Sequence, residues 1–141
     1  MGGGTGADGL TLAFLDETDS TLVGQSGGGL GLRSLEGYAF EWDNYYNSDI
    51  DDPVDHHCGL VNASDLSHIS TATCEFVDVG PLAVEVSFDE GDYEVKVEGV
   101  TVLSGTLDDT FDDEVMVGFT AATGGLTNQH IVDDISVGCP P

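Results

Sequence analysis

Apolar and polar residues alternate along most of this chain, and this period of two constrains its fold more than any other feature. The first such segment places Leu10, Leu12 and Phe14 on one side, and residues 38–43 repeat the pattern. No window shows sustained apolar spacing of 3.6 residues, the signal of an amphipathic helix. Because successive side chains of a strand point to opposite faces, each segment buries one face. The chain is therefore predicted to be all-β.

The predicted strands are short and are separated by polar, glycine-rich loops. After the first two, they lie at residues 58–62, 73–79, 82–88, 93–97, 100–103, 115–119 and 131–137. Asp89-Glu90-Gly91-Asp92 is typical of a hairpin turn, because glycine accepts the positive φ that such turns require. About nine short strands of this kind predict an antiparallel β-sandwich or jelly roll.

The charge of the chain excludes two classes of partner. Its 141 residues carry 27 Asp+Glu against 2 Lys+Arg, a formal net charge of −25. Nucleic acids and anionic membrane surfaces are both bound through clustered basic side chains, which this chain lacks. Hydrophobic residues make up 40% of it, enough to bury a core rather than remain disordered. Self-repulsion this strong is relieved by counterions, which favours a halophile over a calcium-rich extracellular module at ordinary salt.

The length suits one domain. Residues 1–5 are predicted to be a linker, residues 6–139 the domain and residues 140–141 a tail. No apolar run approaches the roughly 20 residues of a membrane span, and the start carries no secretory signal. Of the three cysteines, Cys58 and Cys74 would either bridge neighbouring strands in an oxidising compartment or form a reduced buried pair.

Acidic residues, an amide and an imidazole cluster at the end of the second strand and in the loop after it. Glu41 and Asp43 are two apart on the strand, so both carboxylates leave the same face and repel unless a cation lies between them. Asn47, Asp52 and His57 follow. Oxygen ligands suit Ca²⁺, and carboxylates with an imidazole suit a first-row ion such as Mn²⁺. The pattern favours a metal site over a solvated acidic loop.

Three motifs together resemble the legume (L-type) lectins of the concanavalin A-like superfamily. They are Ala-Asp-Gly at residues 7–9, Glu-x-Asp-x-Tyr-x-Asn followed by Asp-Pro and His at residues 41–57, and Gly-Phe-Thr-Ala-Ala-Thr-Gly at residues 118–124. They occur in the order of that family, and the resemblance spans Asp8 to Val137. It implies a concanavalin A-like jelly roll and a carbohydrate-binding function.

The resemblance also implies which residues hold metals. The transition metal, Mn²⁺ or another divalent ion, would be bound by Glu41, Asp43, Asp52 and His57. Calcium would be bound by Asp43, Asp52, Asn47 and the backbone carbonyl of Tyr45. The remaining histidines are expected at the surface or in packing: His56, His68 and His130.

A sugar site beside the metals is implied as well. Its contacts would come from Asp8, Gly28, Gly29, Tyr45, Asn47 and Asn128. Asp8 would accept hydrogen bonds from two hydroxyls, Asn47 would donate one from its amide, and Tyr45 would lie against the apolar face of the pyranose. Residues 124–129 would line the rim. A cis peptide between Ala7 and Asp8 is implied too.

The start of the chain departs from the family. Family domains generally begin several strands before the Ala-Asp-Gly loop, whereas here this loop begins at residue 7. We therefore expect a sandwich that lacks N-terminal strands. Exposed sheet edges invite pairing, either in a homo-oligomer or with the missing strands of a longer chain.

Two other function classes compete with a lectin. Some glycosidases share this architecture and carry Glu-x-Asp-x-x-Glu on one strand, which places two carboxyls about 5 Å apart. Here the sixth position is Tyr46. A calcium-stabilised adhesion domain would keep the metal ligands but would not need Asp8, Asn47 and the glycine-rich loop at residues 27–29 together. The sequence thus predicts a non-enzymatic, calcium- and manganese-dependent glycan-binding domain, secreted or at the cell surface.

Overall fold

Antiparallel strands account for the regular structure of this protein. The computed structural model describes residues 6–16, 21–111 and 114–138. The strands within these residues are β1 (Gly9–Leu15), β2 (Gly37–Asp43), β3 (His57–Asn62), β4 (His68–Thr73), β5 (Val84–Asp89), β6 (Asp92–Val97), β7 (Val100–Thr106) and β8 (Met116–Ala122). The predicted all-β fold class is confirmed. The predicted linker at residues 1–5, the predicted tail at residues 140–141 and Cys139 lie outside the described residues.

Helical structure is limited, within the described ranges, to a short 3₁₀ turn at Gly27–Gly29. In this part of the chain, no helix has the length and apolar character needed to cross a membrane.

The described strands form two sheets that pack on each other. One sheet has the order β4-β3-β2-β1-β8, and the other has the order β5-β6-β7. All neighbouring strands run antiparallel. Phe40, Trp42 and Leu60 from the larger sheet share one apolar cluster with Val95 and Leu103 from the smaller sheet. The predicted sandwich is thus confirmed, and its main core lies between the sheets.

The larger sheet buries both of its faces. Phe40 belongs to the core between the sheets, whereas its neighbour Ala39 belongs to a second apolar cluster. Because adjacent strand residues point to opposite faces, this second cluster lies on the outer face of the larger sheet. Leu30 and Leu32, in the loop between β1 and β2, are part of it and are fully buried. Glu41 shares the face of Ala39, so its carboxylate is carried beneath the loops that cover that face.

Two tight turns build the smaller sheet. Glu90 (φ 48°) and Gly91 (φ 95°) join β5 to β6, and Glu98 (φ 52°) and Gly99 (φ 76°) join β6 to β7. Two central residues at positive φ make a type I′ turn, whose twist matches that of the strands. The hairpin predicted at residues 89–92 is confirmed.

Two predicted strands are wrong. The strand expected at residues 73–79 is β4, which ends at Thr73, and residues 74–79 are irregular. Phe76 is buried in the core although this segment is irregular, so an apolar residue at this position did not indicate a strand. The segment at residues 131–137 forms no strand within the described part of the chain, and Ile131 and Val137 are exposed. Alternation assigns a face to a residue, but a strand also needs a neighbour for its backbone hydrogen bonds.

A disulfide joins Cys58 of β3 to Cys74, the residue after β4, with 5.6 Å between their Cα atoms. It links two neighbouring strands, the first of the two alternatives left open by the sequence. Cys58 is fully buried in the core between the sheets.

Candidate metal and glycan site

Buried polar side chains gather on the outer face of the larger sheet, where β2 ends and β3 begins. Asp43 is paired with His57, and Glu41 with Gly59. Because directly opposed residues of antiparallel strands project to the same face, the pairing brings three predicted metal ligands together. A Cβ atom on Gly59 would lie 3.0 Å from Glu41 Oε1. Glycine at this position therefore leaves the space that the carboxylate occupies.

The loop between β2 and β3 adds Asp52. Atoms of Asp43, Asp52 and His57 lie within 4.8 Å of one another, close enough for one ion. Glu41 Oε1 is 3.3 Å from His57 Nε2. We call Glu41, Asp43, Asp52 and His57 the metal cluster; all four side chains are buried. The four residues that resemblance assigned to the transition metal thus lie together, with Glu41 on one side of His57 and both aspartates close to the same imidazole.

The loop backbone uses one oxygen of each aspartate and leaves the other free. The N–H of Tyr45 donates to Asp43 Oδ1 at 2.8 Å, and the N–H of Asn47 donates to Asp52 Oδ2 at 2.6 Å. Asp43 Oδ2 and Asp52 Oδ1 are buried and accept no hydrogen bond from any described residue. The loop therefore orients both carboxylates and keeps one oxygen of each unpaired.

Four buried oxygens at this site have no hydrogen-bond partner in the described part of the chain, and they show whether the site suits a cation. Among the described residues, they are Glu41 Oε1, Asp43 Oδ2, Asn47 Oδ1 and Asp52 Oδ1. Buried polar atoms without a partner are rare, because leaving one unpaired costs about 1–3 kcal/mol or more. All four are acceptors, which a hydrogen-bond donor or a cation satisfies, and all four belong to predicted metal ligands. The donor set fits divalent ions bound through oxygen.

His57 is oriented for metal binding by the backbone. Its Nδ1 lies 2.8 Å from the carbonyl oxygen of Val54. Since a carbonyl only accepts, Nδ1 carries the proton, and Nε2 of the neutral ring presents a lone pair towards Glu41. A hydrogen bond from the second nitrogen is the usual support of a metal-binding histidine.

The charges of the metal cluster are poorly balanced by the protein itself. Burial, assisted by the nearby Glu41 and Asp52 carboxylates, raises the pKa of Asp43 to about 8, although the hydrogen bond from the N–H of Tyr45 acts to lower it. Burial also raises the pKa of Asp52. Burial opposes ionisation of Glu41 as well, but neighbouring imidazoles outweigh it and lower its pKa. Burial acts to lower the pKa of His57, yet Glu41 outweighs it and the pKa is raised. A bound cation would favour the ionised form of all three carboxyls.

The predicted sugar-binding carboxylate, Asp8, lies between the ends of β2 and β8. The N–H of Asp8 donates to Ala122 O, and its own carbonyl accepts from the N–H of Asn44, both at 3.1 Å. The Ala7–Asp8 peptide is cis, which confirms that expectation. Asp8 is only 5% exposed, burial raises its pKa, and no described residue donates to its Oδ2.

The glycine-rich loop at residues 27–29 lies against Asn47 and Asp8, and the loop after β8 approaches Asp8 as well. A Cβ atom on Gly28 would lie 2.7 Å from Asn47 Nδ2, and one on Gly27 would lie 3.9 Å from Asp8 Oδ2. A Cβ atom on Gly124, in the loop after β8, would lie 3.3 Å from Asp8 Oδ2. The backbone therefore approaches Asn47 more closely than any other residue type allows. Gly29 faces its own loop instead, and its N–H donates to Ser26 O at 3.2 Å.

Two further predicted sugar contacts lie around these groups. The side chain of Tyr45 is 41% exposed. Asn128 follows β8, and its Nδ2 is buried with no acceptor among the residues that the structure describes. The N–H of Gly6 donates to Thr127 O at 2.9 Å, which holds the loop of Asn128 beside the Ala7–Asp8 segment.

His68, which was expected at the surface or in packing, contacts the metal cluster. Its Nε2 is 2.9 Å from Glu41 Oε1, and its side chain is 13% exposed. β3 pairs Val61 with His68 across a register shift at Leu60/Val61, and no local pattern specifies that shift. His56 is exposed, as expected. One signal in the sequence pointed to the position of His68, which is that it follows the predicted ligand His57 by only 11 residues.

Solved structures of lectins share this architecture. The basic winged bean lectin with Tn-antigen matches with a TM-score of 0.69 and 26% identity over 84% of this chain and 53% of the lectin. The acidic winged bean lectin complexed with methyl-α-D-galactose has the same TM-score and identity, over 84% and 55%. The chain has a legume-lectin-like fold. Peanut lectin with a nine-residue peptide matches with a TM-score of 0.63 and 26% identity, over 82% and 55%.

This likeness is one of structure and extends over part of each lectin. The chain spans about half the length of the legume lectins that it matches. Models of protein families give no match to the sequence, and a comparison with curated proteins gives none either. The legume-lectin-like fold expected from three short motifs is confirmed, and a halophilic source stays a prediction.

Proposed function

We propose that this domain binds glycans without catalysis, and that Ca²⁺ and a divalent transition metal shape its binding site. The observation that carries the proposal is a group of buried oxygens that accept no hydrogen bond from the described residues. Four of them lie on predicted metal ligands, and a fifth is Oδ2 of Asp8, which lies beside the glycine-rich loop. Two of the matched lectins were solved with Tn-antigen and with methyl-α-D-galactose, which supports the proposal.

The residues divide between the two ions in a specific way. The transition metal, Mn²⁺ or a related ion, would be held by Glu41, Asp43, Asp52 and His57. Calcium would be held by Asp43, Asp52, Asn47 and the carbonyl of Tyr45. When bound, the ions supply the positive charge that keeps these carboxylates ionised and in place.

The protein's own groups would select the sugar. Asp8 accepts hydrogen bonds from hydroxyls as a charged acceptor, and such bonds are stronger than neutral ones. With its oxygen taken up by calcium, Asn47 would keep its NH₂ group as a donor beside Gly28. An acceptor beside a fixed donor distinguishes the orientation of neighbouring hydroxyls. The exposed ring of Tyr45 offers an apolar surface to the face of a pyranose.

The competing functions account less well for these residues. A calcium-stabilised adhesion domain has no use for a buried carboxylate at Asp8 whose Oδ2 accepts no hydrogen bond from the described residues, because such an atom costs free energy unless a ligand satisfies it. A retaining glycosidase needs a second carboxyl about 5 Å from the first. Position 46, where that glutamate would stand, is Tyr46. Glycan binding gives both Asp8 and the glycine-rich loop a role.

We also propose that the domain works outside the cell or at its surface. The Cys58–Cys74 disulfide supports this location, because such bonds persist in oxidising compartments. The net charge of −25 favours surroundings rich in salt, where counterions screen self-repulsion.

Asp8→Asn tests the sugar site apart from the metal site. We expect glycan affinity to fall by at least about 100-fold, because two hydrogen bonds to a charged acceptor contribute roughly 3 kcal/mol or more. Metal content, measured by mass spectrometry of the loaded protein, should not change. Asp55→Asn is the matched control, since Asp55 is an exposed acid of the loop between β2 and β3. Unchanged glycan affinity in Asp8→Asn would contradict the proposal.

A further inference from the structure

His68 enters the metal cluster from β4, a strand that contributes none of the predicted ligands. Its Nε2 lies 2.9 Å from Glu41 Oε1, 3.2 Å from His57 Nε2 and 4.0 Å from Asp52 Oδ1. Glu41, His57 and His68 offer ligand atoms that all lie within 4.8 Å of one another. One nitrogen of His68 therefore faces three members of the metal cluster at once.

Hydrogen bonding leaves this arrangement incomplete. In its neutral, metal-binding form His57 presents a lone pair at Nε2, because its Nδ1 donates to Val54 O. Glu41 Oε1 is buried and accepts no hydrogen bond of suitable geometry from the described residues, although both imidazoles are near. A protonated Nε2 on His68 has one hydrogen to donate, so it satisfies one of these two acceptors. A cation at their common centre attracts all three atoms.

The sheet makes room for the second imidazole. A Cβ atom on Gly59 would lie 3.0 Å from Glu41 Oε1 and 3.2 Å from His68 Cδ2. Both contacts are tighter than a real side chain normally makes. Glycine on β3 therefore lets the carboxylate from β2 and the imidazole from β4 meet across the strand between them.

We propose that His68 is a direct ligand of the transition metal, so that two imidazoles and the carboxylates hold this ion. The inference rests on the proposed function, in which a metal occupies the cluster. Imidazole suits later first-row ions such as Co²⁺, Ni²⁺ and Zn²⁺, whereas carboxylate suits Mn²⁺. The second imidazole shifts the preference of the site away from Mn²⁺ and towards Zn²⁺.

The test counts imidazole ligands and measures metal preference, both without a sugar. Metal-free protein is saturated with Ca²⁺ and loaded with Zn²⁺, and X-ray absorption fine structure gives the number of imidazoles on zinc. Competition titrations then compare the affinities for Zn²⁺ and Mn²⁺. The variant is His68→Gln. The control is His56→Asn, since His56 is exposed and lies at φ 54°, a conformation that asparagine tolerates.

We expect two imidazoles in the wild type and in His56→Asn, and one in His68→Gln. The affinity for Zn²⁺ should fall at least about tenfold in His68→Gln, and it should fall by more than the affinity for Mn²⁺. Tenfold is the lower end of the loss seen when a residue that hydrogen-bonds to a metal ligand is removed, so the loss of a direct ligand should reach it. A single imidazole in the wild type, which needs no variant to observe, would overturn this inference and leave the proposed function standing. Failure to bind any divalent ion would overturn both.

Discussion

Without metal, the stability of this domain is expected to fall as the pH rises from 5 to 8. The cause is Asp43, whose pKa of about 8 in the folded protein compares with 3.8 for an ordinary aspartate. A carboxyl with a raised pKa stabilises the folded state fully only below its unfolded pKa, and this contribution is lost as the pH rises through the folded value. The metal-free site must then either keep its proton or bury an uncompensated charge.

The size of the effect follows from the shift. A difference of about four pKa units, at about 1.4 kcal/mol each, corresponds to about 6 kcal/mol, of which about 4 kcal/mol is lost between pH 5 and pH 8. This is a large share of the roughly 5–15 kcal/mol that stabilises a typical domain. The raised pKa values of His57, Asp52 and Asp8 act in the same direction, whereas the lowered pKa of Glu41 acts only at acid pH. Ordinary carboxylates are already ionised above pH 5, so they leave this window clear.

The assay is urea unfolding of protein dialysed free of divalent ions, at fixed salt and at several pH values from 5 to 8. The single tryptophan, Trp42, is buried in the core and reports unfolding by its fluorescence. Asp43→Asn keeps the shape of the side chain but cannot ionise, so most of the pH dependence should disappear. A free energy of unfolding that stays flat or rises from pH 5 to pH 8 would refute the reasoning, as would an unchanged slope in Asp43→Asn.

Three further predictions concern the loop, the core and the disulfide. Gly28→Ala would place a Cβ atom 2.7 Å from the Asn47 side chain, so glycan binding in calorimetry should be lost; retained affinity would contradict the placement of this loop. Phe40→Ala empties a fully buried position and should cost about 3–5 kcal/mol of unfolding free energy in urea, whereas a loss below about 1 kcal/mol would be inconsistent with the core. Reducing Cys58–Cys74, which are 16 residues apart, should lower the same quantity by about 3 kcal/mol, and an unchanged urea midpoint would argue against the bond.

Local patterns were sufficient for much of the fold and of the candidate site. Alternation identified β2, because each of its residues contacts a different environment from the next. The two-residue spacing of Glu41 and Asp43 predicted that both carboxylates share a face, and the structure brings them together with His57. Such inferences succeed because the alternation of side chains between the two faces of a strand is a local property of the chain.

The misses arose where the outcome depends on pairing between segments. His68 reaches the metal cluster through a register shift between β3 and β4 at Leu60/Val61, and register is a property of two strands together. The apolar residues at 131–137 alternate, yet no strand forms there in the described structure, because alternation does not supply a partner. Phe76 shows the converse, since it is buried without belonging to a strand.

The measurement that tests the central claim most directly is a glycan-array screen at high salt with Ca²⁺ and Mn²⁺, repeated after chelation and again after the ions are restored. We predict binding to a defined class of sugars that disappears with the chelator and returns with the metals. Sugar binding that persists after complete metal removal would contradict the role given to the ions. A folded, metal-loaded protein that binds no glycan would contradict the proposed function itself and favour a calcium-stabilised adhesion domain.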